Sequence, residues 1–94
     1  MNISLLINGV SRAAASGRTY DRLDPFTQKL ATRAAAAGIE DVNAAVEAAS
    51  AAFPEWSKTG PLQRRALLLK AADILASKVA EFTTLMIEET GATG

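Results

Sequence analysis

Apolar residues follow one period before Gly38 and another after it. Ile3 to Ile7 is a β-rich run, and Asn8-Gly9 is the commonest two-residue hairpin signal, with Val10 to Ala13 as its return strand. Ser16-Gly17 marks a second turn. Beyond it Thr19, Asp21 and Leu23 alternate with Arg18, Tyr20 and Arg22, a pattern suited to an exposed or edge strand. Asp24-Pro25 ends that strand, because proline donates nothing to a ladder and restricts the residue before it. Leu30 to Ala35 supplies one more strand.

From Glu40 the period becomes about 3.6. Val42, Ala45, Val46, Ala49 and Phe53 recur at helical spacing, with Glu40 and Asp41 in the first turn where carboxylates suit the helix dipole. This predicts a helix over Glu40 to Phe53, closed by Pro54, with Trp56 in the connector covering the junction to the next helix. The run Pro61 to Gly91 predicts one long, uninterrupted helix. Gly60 is its N-cap and Pro61 its first residue, Gln63 is set to reach back to the cap, and Thr90-Gly91 is its stop. Winding this run at 100° per residue gathers Lys70, Asp73, Ser77, Glu81, Thr84 and Glu88 into one narrow polar stripe. Leu68, Ala72, Leu75, Val79, Phe82 and Met86 lie opposite, with Leu67, Ile74 and Leu85 on one flank and Leu69, Ala76, Ala80 and Ile87 on the other.

A helix this apolar needs cover on more than one side. Its roughly 30 residues at about 1.5 Å each make a rod near 45 Å, too long for a compact domain of this size, whose radius of gyration is about 13 Å. Either the helix breaks, or another chain covers it, or these residues belong to something larger. The fold class expected is α+β, an N-terminal hairpin and strands followed by a short and a long helix. It forms a single segment, a β region over 1–37 and a two-helix region over 38–94.

Composition sharpens the point. The chain is 49% hydrophobic over 94 residues, but much of that is alanine, which buries little area. Few large side chains remain to offset a backbone entropy of about 1–2 kcal/mol per residue, so independent folding is expected to be marginal. Ten basic and ten acidic residues leave no net charge and no footprint for nucleic acid or acidic lipid. The Ile3 to Ile7 run is too short and lacks the basic flank of a signal peptide, and the long helix carries too many charges to span a bilayer. No membrane partner is expected, and the default compartment is cytoplasmic.

With no cysteine and no histidine, the residues cannot build a thiolate metal site, a disulfide, or a Ser-His-Asp or Cys-His arrangement. Glu88 and Glu89 are adjacent carboxylates, but successive helical residues point about 100° apart, so they are read as solvated or ion-paired. Arg64 and Arg65, near a helix start, are read as gripping a neighbouring segment or an interface. The terminal Gly-Ala-Thr-Gly is a helix stop rather than a phosphate loop, being at the wrong end of its helix. Phe53 and Trp56 are read as core. No catalytic, cofactor-binding or metal residue is assigned.

The order LLINGV, Asp24-Pro25-Phe26-Thr27-Gln28-Lys29, EDVNAAVEAASAAFPEWS, PLQRRALLLKAADILASKVAEF and ETGA resembles the N-terminal segment of the NAD(P)-dependent aldehyde dehydrogenases. The GPLQRRALLLKAAD block is most similar to the branch acting on aromatic aldehydes such as benzaldehyde, vanillin and salicylaldehyde. Where the family has Asn-Pro-x-Thr-Gly-Glu, this chain has Asp24 and Gln28, which puts the turn's conformation in question.

The resemblance implies a parent enzyme that oxidises an aldehyde to a carboxylate. A cysteine thiolate attacks the carbonyl, backbone and asparagine donors hold the oxyanion, hydride passes to nicotinamide, and a glutamate activates water against the thioester. It implies an α/β Rossmann-like parent fold, NAD or NADP as parent cofactor with none binding this chain alone, the remainder of the enzyme as partner, and a homo-oligomeric parent. The chain would supply scaffold and be inactive by itself. The alternative is a stand-alone module dimerising through the long helix, against which the apolar surface spreads beyond a two-position coiled-coil seam.

Overall fold

The computed structural model describes residues 1–91. Five strands precede three helices: β1 Asn2–Ile3, β2 Leu5–Ile7, β3 Val10–Arg12, β4 Thr19–Leu23, β5 Leu30–Ala35, α1 Ile39–Ser57, α2 Pro61–Ser77 and α3 Val79–Thr90. The expected α+β order is present. The single run expected over Ile3 to Ile7 is instead divided at Ser4, because its two halves pair with different neighbours. β1 runs parallel to β5, Asn2 opposite Arg33 and Ile3 opposite Ala34. β2 pairs antiparallel with β3, from Leu5 opposite Arg12 to Ile7 opposite Val10.

Asn8 and Gly9 both have positive φ, 53° and 73°, as a type I′ hairpin turn requires. β4 lies at one edge of the three-stranded sheet, in the order β1-β5-β4, so its reading as an edge strand holds. The turn after it is closed by Asp24. The Asp24 carboxylate accepts from the backbone N–H of Phe26 at 2.8 Å and of Thr27 at 3.2 Å. The Asp24 carbonyl accepts from Gln28 at 2.8 Å, and the Asp24 N–H reaches the Lys29 carbonyl at 2.8 Å. The Asp24 side chain and backbone thus close the turn despite the departures at Asp24 and Gln28.

Three helical expectations are corrected. α1 does not close at Pro54 but runs three residues past it to Ser57. A proline removes one N–H and crowds one carbonyl, and in a final turn the remaining bonds carry the helix on. Trp56 therefore belongs to α1 and not to a connector. Secondly, the long helix is broken at Lys78, whose φ of −109° and ψ of 17° fall outside the helical range. The Ser77 hydroxyl donates to the Ile74 carbonyl at 2.6 Å. That carbonyl would otherwise receive the Lys78 N–H, which turns instead to Leu75 at 3.0 Å. Side-chain competition of this kind bends helices, and the two-helix region becomes a three-helix region. Thirdly, Gln63 makes no bond to the Gly60 cap.

Other helix ends match expectation. Gly60 and Pro61 begin α2, and Gly91 closes α3 at φ 74° with its N–H on the Ile87 carbonyl at 2.9 Å. The rest of the terminal Gly-Ala-Thr-Gly, residues 92–94, lies outside the described residues.

α3 packs on β4 and β5, and α1 meets β2. Among the described residues the buried hydrophobic ones are Ala14, Ala31 and Ala34, and no large side chain is fully enclosed. Phe53 is 66% and Trp56 45% exposed, so the expectation that they form core is not met within this chain. The breadth of apolar α2 is likewise open, with Leu62, Leu68 and Leu75 all exposed. The radius of gyration is 16.9 Å, well above the 13 Å or so of a compact 100-residue domain.

Candidate functional site

Three polar clusters hold the elements to one another, and each is built around one side chain. The first is Asp41, 2% exposed, in the first turn of α1. Gly38 at the N-cap is extended, leaving its N–H free to donate to one Asp41 oxygen at 2.9 Å, while the Ala15 N–H donates to the other at 2.9 Å. The Arg12 guanidinium stands 4.0 Å away. The Gly38 N–H first and the Ala15 N–H second hold the Asp41 carboxyl below the ordinary aspartate range, and Arg12 adds to this against the opposing effect of burial. Asp41 thereby ties the segment after β3 to the start of α1.

The second cluster joins α3 to the sheet. Arg22 on β4 and Thr32 on β5 are cross-strand partners, so their side chains emerge side by side on one face. Arg22 Nε meets Glu89 at 2.8 Å, and the buried Thr32 hydroxyl donates to the other Glu89 oxygen. Glu89 is therefore ion-paired, as expected for this pair of carboxylates. Glu88 faces elsewhere, lining an open hollow with Met1, Asp24, Thr27 and Lys29. The structure does not bring the two glutamates together as an acid/base or metal pair.

The third is Arg64. Its Nε donates to the Thr59 carbonyl at 2.9 Å and one Nη to the Trp56 carbonyl at 3.0 Å and the Ser57 carbonyl at 3.4 Å. The guanidinium also lies 5.1 Å from the centre of the Trp56 ring, within cation–π range. Arg64 grips a neighbouring segment, as its position suggested, and adds its guanidinium to the carbonyls of Trp56 and Ser57 at the end of α1, the first of which also accepts the Thr59 N–H at 3.0 Å. Elsewhere, Asp21 and Arg33 pair across β4 and β5 at 2.9 Å. Their mutual hydrogen bond lowers the first group's pKa and raises the second's, but both are half-exposed, which leaves the pair little energy.

Each of these clusters ties one segment of the chain to another. Among the described residues no group of three or more histidine, cysteine, aspartate or glutamate side chains is placed to hold a metal ion, and no helix is long and apolar enough to cross a membrane. A dinucleotide asks for free N–H groups at a helix N-terminus to receive its phosphates. Here the Gly38 N–H at the start of α1 is taken by the Asp41 carboxylate, α2 begins on Pro61, which has no N–H, and α3 follows directly from α2 through Lys78.

The fold matches known proteins closely. The aldehyde dehydrogenase family model matches residues 12–94. The chain belongs to the aldehyde dehydrogenase family. A vanillin dehydrogenase from Pseudomonas sp. (strain HR199 / DSM 7063) is 48% identical over 93 residues, covering 99% of this chain and 19% of that protein. The crystal structure of a salicylaldehyde dehydrogenase from Pseudomonas putida G7, complexed with salicylaldehyde, superposes with a TM-score of 0.96 at 36% identity, over 99% of this chain and 19% of that one. That of PnpE in complex with nicotinamide adenine dinucleotide gives 0.91 at 42% identity, over 97% and 19%. The chain thus spans about 19% of the length of the family members it resembles. Similarity to the aromatic-aldehyde branch, expected from the α2 block, extends along essentially the whole chain. The alternative of a stand-alone dimerisation module receives no support from these relatives.

The sequence reading named Arg64 and the Glu88-Glu89 pair but missed Asp41, Arg22 and Thr32 as anchors. Asp41 had a local signal, since an aspartate three residues after a glycine cap is one half of a capping box. Arg22 and Thr32 had none, because their role depends on Glu89, on a helix far along the chain.

Proposed function

We propose that this chain is the N-terminal scaffold portion of an NAD(P)-dependent aldehyde dehydrogenase that oxidises an aromatic aldehyde to its carboxylic acid. The observation that carries this reading is the fit of essentially all of the chain to a salicylaldehyde dehydrogenase, at a TM-score of 0.96. Two further features support it. The apolar faces of α1 and α2 lie open, as they would if the remainder of such an enzyme covered them. The sequence also contains no cysteine, so the nucleophile, the oxyanion donors and the cofactor-binding residues would come from that remainder. In this reading the 94 residues form one segment of a larger cofactor-binding domain with a Rossmann-like α/β fold. The working enzyme is a cytoplasmic homo-oligomer using NAD or NADP, and the chain by itself binds no cofactor and is inactive.

The test is the intact mass of the native product in its source cells, followed by assay of that product with vanillin or salicylaldehyde and either nucleotide. A mass well above 9.8 kDa with nucleotide-dependent oxidation of an aromatic aldehyde is expected. A native product of 9.8 kDa, inactive on both aldehydes, would overturn the proposal.

A further inference from the structure

We draw no further inference here: the strongest candidate, the open apolar groove between β2 and the alanine face of α1 lined by Leu6, Ile7, Ala45, Ala48, Ala49 and Ala52, carries nothing because nothing in the structure shows what covers it.

Discussion

Gln28 sits at φ 61°, in the left-handed region where a side chain carrying Cβ costs roughly 1–2 kcal/mol. The Asp24 turn demands that conformation, and the chain retains it through the bonds Asp24 makes. The Gln28 side chain recovers part of the cost by donating to the Pro25 carbonyl at 3.1 Å, but that bond is exposed. Gln28→Gly in the whole enzyme is therefore expected to stabilise the turn by about 0.5–1 kcal/mol. Hydrogen exchange in a peptide covering 24–29 should slow about two- to fivefold, and unchanged or faster exchange would refute the strain argument. Asp41 is the opposite case, a residue whose charge the fold requires. Its carboxyl titrates below the ordinary value, so the unfolded chain binds that proton more readily than the folded one. The stability it contributes is complete above the unfolded pKa of about 4 and is lost as pH falls through the folded value. Protection of the peptides around Ala15 and Gly38 should drop on acidification. In Asp41→Asn it should already be low at neutral pH and respond little to acid. A variant with the wild-type acid response would assign that response to another group.

At the scale of elements, what was legible in the sequence was what neighbours in the chain decide. Asn8-Gly9, Asp24-Pro25, Gly60-Pro61 and Gly91 each set a turn or a helix end through their own backbone geometry, and all stand where expected. The misplaced boundaries depend on competition instead. Pro54 weakens a helix that other bonds still carry to Ser57, and Ser77 diverts a carbonyl so that the rod breaks at Lys78 and α3 turns onto the sheet. The Arg22–Glu89–Thr32 tie rewards that turn, and no local pattern announces it. The elbow between α1 and α2 tests how such a tie acts, because one side chain spans it. Arg64 bonds to charged-group strength with carbonyls at the end of α1, and removing it should cost about 1–2 kcal/mol. In the whole enzyme Arg64→Ala is expected to speed exchange over 56–64 roughly tenfold. Arg64→Lys should recover only part of the loss, since an ammonium neither forks between carbonyls nor stacks as a guanidinium does. Full recovery by lysine would reduce the role of Arg64 to simple charge.

For the whole molecule the decisive quantity is surface. The chain exposes 7513 Å², whereas a compact monomer of its mass exposes roughly 5,200 Å². The excess, about 2,300 Å², is well beyond the 800 Å² or so that one partner contributes to a standard protein interface. It is not spread evenly: α2 has no buried residue, and Leu62, Leu67, Leu68, Leu69, Ile74 and Leu75 are all exposed around it. Large apolar patches of this kind do not persist in water on a soluble monomer. Among the described residues the buried hydrophobic core is three alanines, which cannot supply the burial that offsets chain entropy. The 94-residue chain produced alone is therefore expected to self-associate or to lack cooperative structure. Sedimentation should show species whose size grows with concentration, and thermal unfolding should be broad or concentration-dependent. A monomer that melts sharply at one temperature across a hundredfold range of concentration would contradict this. It would mean that the ties through Asp41, Arg64 and Glu89 suffice to hold the chain without cover for its helices.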